Sequence, residues 1–129
     1  MDEFNNITVC LVEDDKMIRE MYQTALELDG FKVLAAADGA EGLMLMKKNR
    51  PDIAIIDIMM PIMSGITLMQ KMDEDPDLRN IPVIVSSNNN DKTVMEQTKK
   101  SRFYLLKAFY TPKKVVGVVR EVLSRNTGF

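Results

Sequence analysis

The sequence predicts an α/β protein in which one parallel, five-stranded sheet is covered by helices on both faces. Three observations carry this reading. Short uncharged apolar runs alternate with amphipathic segments along the whole chain. The runs are apolar at consecutive positions, the pattern of strands buried on both sides and hence of a parallel sheet. The chain has 129 residues, one domain's worth. A domain of that size buries roughly two-thirds of its unfolded surface and needs no disulfide or metal staple. With 46% hydrophobic and 28% charged residues, its composition is that of a globular protein rather than a disordered one.

Ile7–Val12 (ITVCLV) is the first strand, rich in β-branched residues and free of charge. Ile18, Met21, Tyr22, Ala25 and Leu26 then recur at helical spacing, and Gly30 stops that helix. Phe31–Ala36 is the second strand. Asp38 with Glu41 three residues later is a capping-box pattern, and the helix it opens must end before Pro51. Ile53–Ile56 is the third strand. Ile66, Met69 and Met72 place one apolar stripe on the next helix, and Val83–Val85 forms the centre of the fourth strand. A fourth helix is predicted from near Asp91, on the thin stripe of Val94, Met95 and Thr98. Tyr104–Leu106 is the fifth strand. Thr111 and Pro112 supply an N-cap and a first-turn proline, and Val115, Val116, Val119, Val122 and Leu123 form the last helix's buried face. Five strands alternating with five helices, joined by right-handed crossovers, make a flavodoxin-like (βα)5 doubly wound sheet of order 2-1-3-4-5. No repeat or linker interrupts it, so residues 1–129 are expected to form a single domain.

Composition excludes several function classes. The net charge of −2 offers no basic excess, so neither nucleic acid nor an anionic membrane is expected as a direct partner. The absence of histidine removes Ser-His-Asp and Cys-His catalysis, histidine-ligated metals and a kinase that carries phosphate on its own histidine. Cys10 is the only cysteine, so no internal disulfide forms, which suits a reducing compartment. No apolar run reaches membrane-spanning length and Met1–Asn6 lacks the features of a signal peptide. A cytoplasmic protein, monomeric or weakly dimeric, is expected.

In open α/β sheets the ligand crevice lies beyond the carboxyl ends of the strands, where strand order reverses. Here that point falls between strands one and three. Glu13, Asp14 and Asp15 follow the first strand, Asp57 ends the third, Ser87 ends the fourth and Lys107 ends the fifth. Taken singly, each has a plain structural reading: Asp15 is a natural helix N-cap, and lone polar residues at strand ends are mostly turn or surface residues. Their convergence on one rim is harder to reduce to that. Carboxylates crowded together repel one another unless a cation joins them, and Mg²⁺ suits all-oxygen ligands where phosphate is also bound. Mg²⁺ and Lys107 would balance the charges of Glu13, Asp14 and Asp57, and a phosphoryl group on Asp57 would be shared between the two cations.

These residues make the chain resemble the receiver domain of two-component response regulators. The motifs are Val12-Glu13-Asp14-Asp15, Asp57-Ile-Met-Met-Pro61-Ile-Met-Ser-Gly65, Ile81-Pro82-Val-Ile-Val-Ser-Ser87 and Tyr104-Leu-Leu-Lys107. Four motifs in this order span nearly the whole sequence. The resemblance implies a phospho-acceptor that takes a phosphoryl group onto Asp57 from a histidine kinase or phosphotransfer protein and then switches a surface that binds an output protein. It implies that Asp14, Asp57 and the Met59 carbonyl bind Mg²⁺ directly, with Glu13 acting mainly through water. Lys107 would neutralise phosphoryl oxygens, Ser87 would hydrogen-bond one of them, and Tyr104 would turn inward as Ser87 moves. With no room for an output domain, a stand-alone receiver of the chemotaxis-regulator type is expected, not a turnover enzyme.

The chain departs from the family pattern at Ala108, where proline is usual, at Asn88, where alanine or glycine is, and at Phe103, where glycine is common. With alanine after Lys107, a trans peptide bond is expected there. These departures support one alternative, a pseudo-receiver acting as a phosphorylation-independent scaffold. An aspartyl-phosphate phosphatase would need a second acid two residues after its nucleophile, and that position is Met59. Simple roles account for the remaining features. The eleven methionines read as core filler, Lys99-Lys100-Ser101-Arg102 as a solvated helix end, and Cys10 as a small buried hydrophobe.

Overall fold

The structure, a computed structural model, describes residues 6–87, the backbone of 103–106, and 110–126. Five strands form one sheet: β1 (Thr8–Val12), β2 (Lys32–Ala36), β3 (Ile53–Asp57), β4 (Val83–Ser87) and β5 (Phe103–Leu106). The four described helices are α1 (Lys16–Leu28), α2 (Gly39–Asn49), α3 (Gly65–Glu74) and α4 (Pro112–Asn126). Every pairing is parallel and the order is β2-β1-β3-β4-β5, as the alternating pattern requires. The helix expected from near Asp91 lies outside the described residues.

Strand alternation divides the core into two layers. Val9, Leu11, Ile53, Ile55 and Ile84 face α1 and α4, where they meet Tyr22, Leu26, Val115, Val119 and Val122. The intervening Cys10, Val12, Ala54, Ile56, Val83 and Val85 face α2 and α3, against Met46, Leu68 and Met72. All five positions of β3 are buried, the fate of a central parallel strand and the reason its sequence shows no polar alternation. Each fully buried Ile, Leu or Val contributes about 1.5–3 kcal/mol of hydrophobic stabilisation.

Local chemistry sets the helix boundaries. The Asp15 carboxylate accepts from Ile18 N–H at 3.0 Å, and Thr111 Oγ1 accepts from Lys114 N–H at 3.2 Å, so both expected N-caps form. Gly30, at φ 98°, closes α1: its N–H reaches the Glu27 carbonyl and the Phe31 N–H reaches that of Leu26. These two bonds, with Phe31 and Leu26 buried in one cluster, make a Schellman motif. At α2, Asp38 accepts from Glu41 N–H at 2.9 Å, but the Glu41 carboxylate reaches back to Ala37 N–H at 3.5 Å rather than to that of Asp38. Only half of the expected capping box is therefore strong.

Two expectations about side chains are corrected. Met21 is 44% exposed and leaves the buried stripe of α1 to Tyr22 and Leu26. The methionines divide: Met46 and Met72 fill the core and Met60, Met63 and Met69 pack against it, whereas Met17, Met21, Met44 and Met59 stand in solvent. Their polarisable thioethers tolerate both settings, so residue type alone could not separate them. None of the described helices is long and apolar enough to cross a membrane.

Candidate functional site

The sheet order places the carboxyl ends of β1 and β3 side by side at the topological switch point. Past β1, the Glu13 N–H still bonds the Ala36 carbonyl of β2 at 3.0 Å, so Glu13 is held to the sheet edge. Its side chain is 1% exposed, and Oε2 accepts from Asp15 N–H at 3.0 Å. Asp14 follows on the open side of the loop. From the first turn of α1, Arg19 turns back on this loop, and its Nη1 donates to the carbonyls of Glu13 at 2.9 Å and Asp14 at 3.3 Å.

Asp57 ends β3 and is 3% exposed. Its Oδ1 accepts from Met59 N–H at 3.3 Å, while Ile58 N–H continues the ladder to the Ser86 carbonyl at 3.2 Å. The loop then doubles back, and Gly65 N–H bonds the Ile58 carbonyl at 3.0 Å. A Cβ on Gly65 would lie 2.2 Å from the Asp57 carbonyl oxygen, so only glycine lets α3 start this close to the acid. The spacing from Asp57 to Gly65 is thus a backbone requirement. Ser64 caps the helix by accepting from Thr67 N–H at 3.2 Å.

One carboxylate oxygen from each of Glu13, Asp14 and Asp57 falls within 4.8 Å of the others. At an effective dielectric near 20, each pair at that distance repels by on the order of 3 kcal/mol, less where the exposed Asp14 is screened. The donor set fits a hard divalent cation: all ligands are oxygen, two carboxylates are buried and one is open to water. An ion that keeps part of its hydration shell suits that arrangement.

Ser87 closes β4 as a buried residue. Register places Ser86 beside Asp57, and the Ser86 hydroxyl is buried with no hydrogen-bond partner among the described residues. Met59 is 71% exposed beside the acid. The backbone of Tyr104 pairs with Val85, and that of Phe103 with Ile84. Asn88, Lys107, Ala108 and the stretch from Lys99 to Arg102 lie outside the described residues. The structure therefore brings Glu13, Asp14, Asp57, Met59 and Ser87 to the same rim. Arg19 and Gly65 are parts of the site that sequence reasoning passed over. Gly65 was visible as the last residue of its motif, whereas nothing in the sequence shows that Arg19 folds back toward the acids.

A family model for the response regulator receiver domain matches residues 9–119. The transcriptional regulatory protein CseB of Streptomyces avermitilis is 45% identical over 83 residues, which cover 64% of this chain and 34% of that protein. The receiver domain of Francisella response regulator 1452 superposes with a TM-score of 0.83 at 31% identity, over 93% of this chain and 98% of that one. Vibrio cholerae chemotaxis protein CheY4 gives a TM-score of 0.85 at 25% identity, over 91% and 98%. The chain spans about a third of the length of CseB and about half of that of other curated regulators it matches, among them TcrX of Mycobacterium tuberculosis. With its strand order, its triad of acids at the switch point and a match across both, the chain belongs to the response regulator receiver domain family.

Proposed function

We propose that Asp57 accepts a phosphoryl group from a phosphohistidine on a histidine kinase or phosphotransfer protein, and that the product alters binding to an output protein. The observation that carries this is the meeting of the Glu13, Asp14 and Asp57 carboxylates at the switch point of a receiver-family chain. An Asp57 oxygen would attack phosphorus in line as the P–N bond breaks, and the departing imidazole nitrogen would keep the bonding pair and take up a proton. The protein's part is to position and to stabilise charge. Asp14, Asp57 and the Met59 carbonyl would hold Mg²⁺, with Glu13 acting through water, and the ion would offset the phosphoryl charge. The Ser87 hydroxyl would donate to a phosphoryl oxygen, Lys107 would pair with another, and Tyr104 would follow Ser87. Binding the phosphate biases a two-state surface, so the chain acts as a switch in the cytoplasm and not as a turnover enzyme. Its direct partners would be proteins, not nucleic acid or membrane, and it would be monomeric or weakly dimeric.

The test is incubation with acetyl phosphate, with and without Mg²⁺, read by intact mass. The expected result is a phosphoryl mass gain that requires both Mg²⁺ and Asp57, with Asp57→Asn folded but unmodified. A gain at the wild-type rate in Asp57→Asn would assign the acceptor elsewhere. A wild-type chain that never gains mass would favour a pseudo-receiver, a reading that rests on departures such as Ala108.

A further inference from the structure

We infer that Arg19 is a positioning residue for the cation site: its guanidinium clamps the Glu13 and Asp14 carbonyls and so fixes where those two carboxylates point. The inference deepens the proposed function and rests on Mg²⁺ binding at that site.

Three observations carry it. First, the loop between β1 and α1 bears two adjacent acids that must converge on a third, Asp57, against their mutual repulsion. Repulsion of that kind splays a loop unless backbone contacts oppose it. Second, Glu13 is anchored at several points: its N–H to Ala36, its carboxylate to Asp15 N–H and its carbonyl to Arg19. Asp14 is exposed, and its carbonyl is held by the same Arg19 nitrogen. Third, Arg19 itself is well founded. Its own N–H bonds the Asp15 carbonyl at 2.9 Å within α1, and that helix is anchored in the core by Tyr22 and Leu26. The clamp therefore transmits the rigid placement of α1 to the loop, through charge-assisted bonds that a neutral side chain cannot replace.

A clamp and a simple nearby charge make opposite predictions. As a bare positive charge, Arg19 repels a divalent cation, so removing it should tighten Mg²⁺ binding. As a clamp, it preorganises two of the ligands, so removing it should weaken binding. The sign decides between them.

The experiment titrates magnesium chloride into the metal-free protein and follows the backbone amide resonances of Asp57 and Met59, with melting temperatures measured in parallel without metal. In Arg19→Met, which keeps an unbranched apolar stem, the dissociation constant for Mg²⁺ should rise about tenfold, the scale typical of losing a residue that orients a ligand. Arg19→Lys keeps the charge, but its ammonium sits one atom short of the Nη1 that holds both carbonyls, and it should fall between Arg19→Met and the wild type. If Arg19→Met fails to fold, Arg19→Lys decides alone: weaker binding supports the clamp and unchanged binding overturns it. Tighter or unchanged binding in Arg19→Met also overturns it, as does a lowered melting temperature with unaltered affinity, the mark of a purely structural contact. A wild-type protein that shows no Mg²⁺-dependent shift at either amide would overturn the proposed cation site and this inference together. A normal wild-type titration with unaffected Arg19 variants would sink the inference alone.

Discussion

Ile62 adopts φ 71° in the loop after Asp57, a left-handed conformation that a β-branched residue enters only under strain. Its side chain is 82% exposed, so no burial compensates locally. The loop imposes the conformation: Gly65 N–H is tied to Ile58 on one side, and the Met63 carbonyl sits against Gly39 on the other. Ile62→Asn should therefore stabilise the protein by about 1 kcal/mol, because asparagine tolerates this region better. A raised urea midpoint at constant slope would show the gain, and a lowered midpoint would contradict it. Cys10 offers a second test. Burial pushes its thiol up to about 12, and the Glu41 carboxylate adds to the shift. An unfolded chain gives up this proton near the ordinary thiol value of about 8.5. The neutral thiol's contribution to stability is thus fully present below that value and is lost as pH climbs toward about 12. Compared with Cys10→Ala, the wild type should lose stability more steeply from about pH 9 upward. Parallel pH profiles for the two proteins would refute this.

At the scale of the element, α3 depends on the absence of one side chain. A methyl group on Gly65 would lie 2.2 Å from the carbonyl oxygen of Asp57 and 2.9 Å from the Cα of Ile58, and backbone cannot step aside as a side chain tip does. Gly65→Ala should cost about 1–3 kcal/mol, the range for overfilling a packed site, and should depress Asp57 phosphorylation by shifting the loop that carries Met59. Urea unfolding and the acetyl phosphate assay measure the two effects, and wild-type values in both would defeat the argument. This element also shows what the sequence could convey. The stripe of Ile66, Met69 and Met72 announced a helix, yet of these only Met72 is fully buried, alongside Leu68. Periodicity locates a helix but not its rotation, which is set by what it packs against. Strand ends were easier to read: β3 closes on Asp57 and β4 on Ser87, the polar residues expected to terminate them. The acids were legible because the alternating pattern points to the order 2-1-3-4-5, which sets the carboxyl ends of β1 and β3 side by side. The Arg19 clamp was not, since it depends on the direction in which one long side chain folds.

For the whole molecule, the crowded carboxylates connect stability to metal. Any ligand that binds only the folded state stabilises it, by about 1.4 kcal/mol when present at ten times its dissociation constant. Mg²⁺ at that level should raise the melting temperature of a chain this size by about 5 °C. Asp57→Asn should abolish the rise while leaving the metal-free protein at least as stable as the wild type, since one like charge is gone. A metal-induced rise of equal size in Asp57→Asn would place the cation elsewhere. The topology also has a consequence for what such a titration counts. Glu13 and Asp14 follow the first strand and Asp57 ends the third, and they meet only because β1 lies between β2 and β3. An unravelled chain carries every acid but no pocket. Occupancy of the pocket is therefore a census of native molecules, and a preparation in which only part of the chain binds at saturation reveals its misfolded fraction directly.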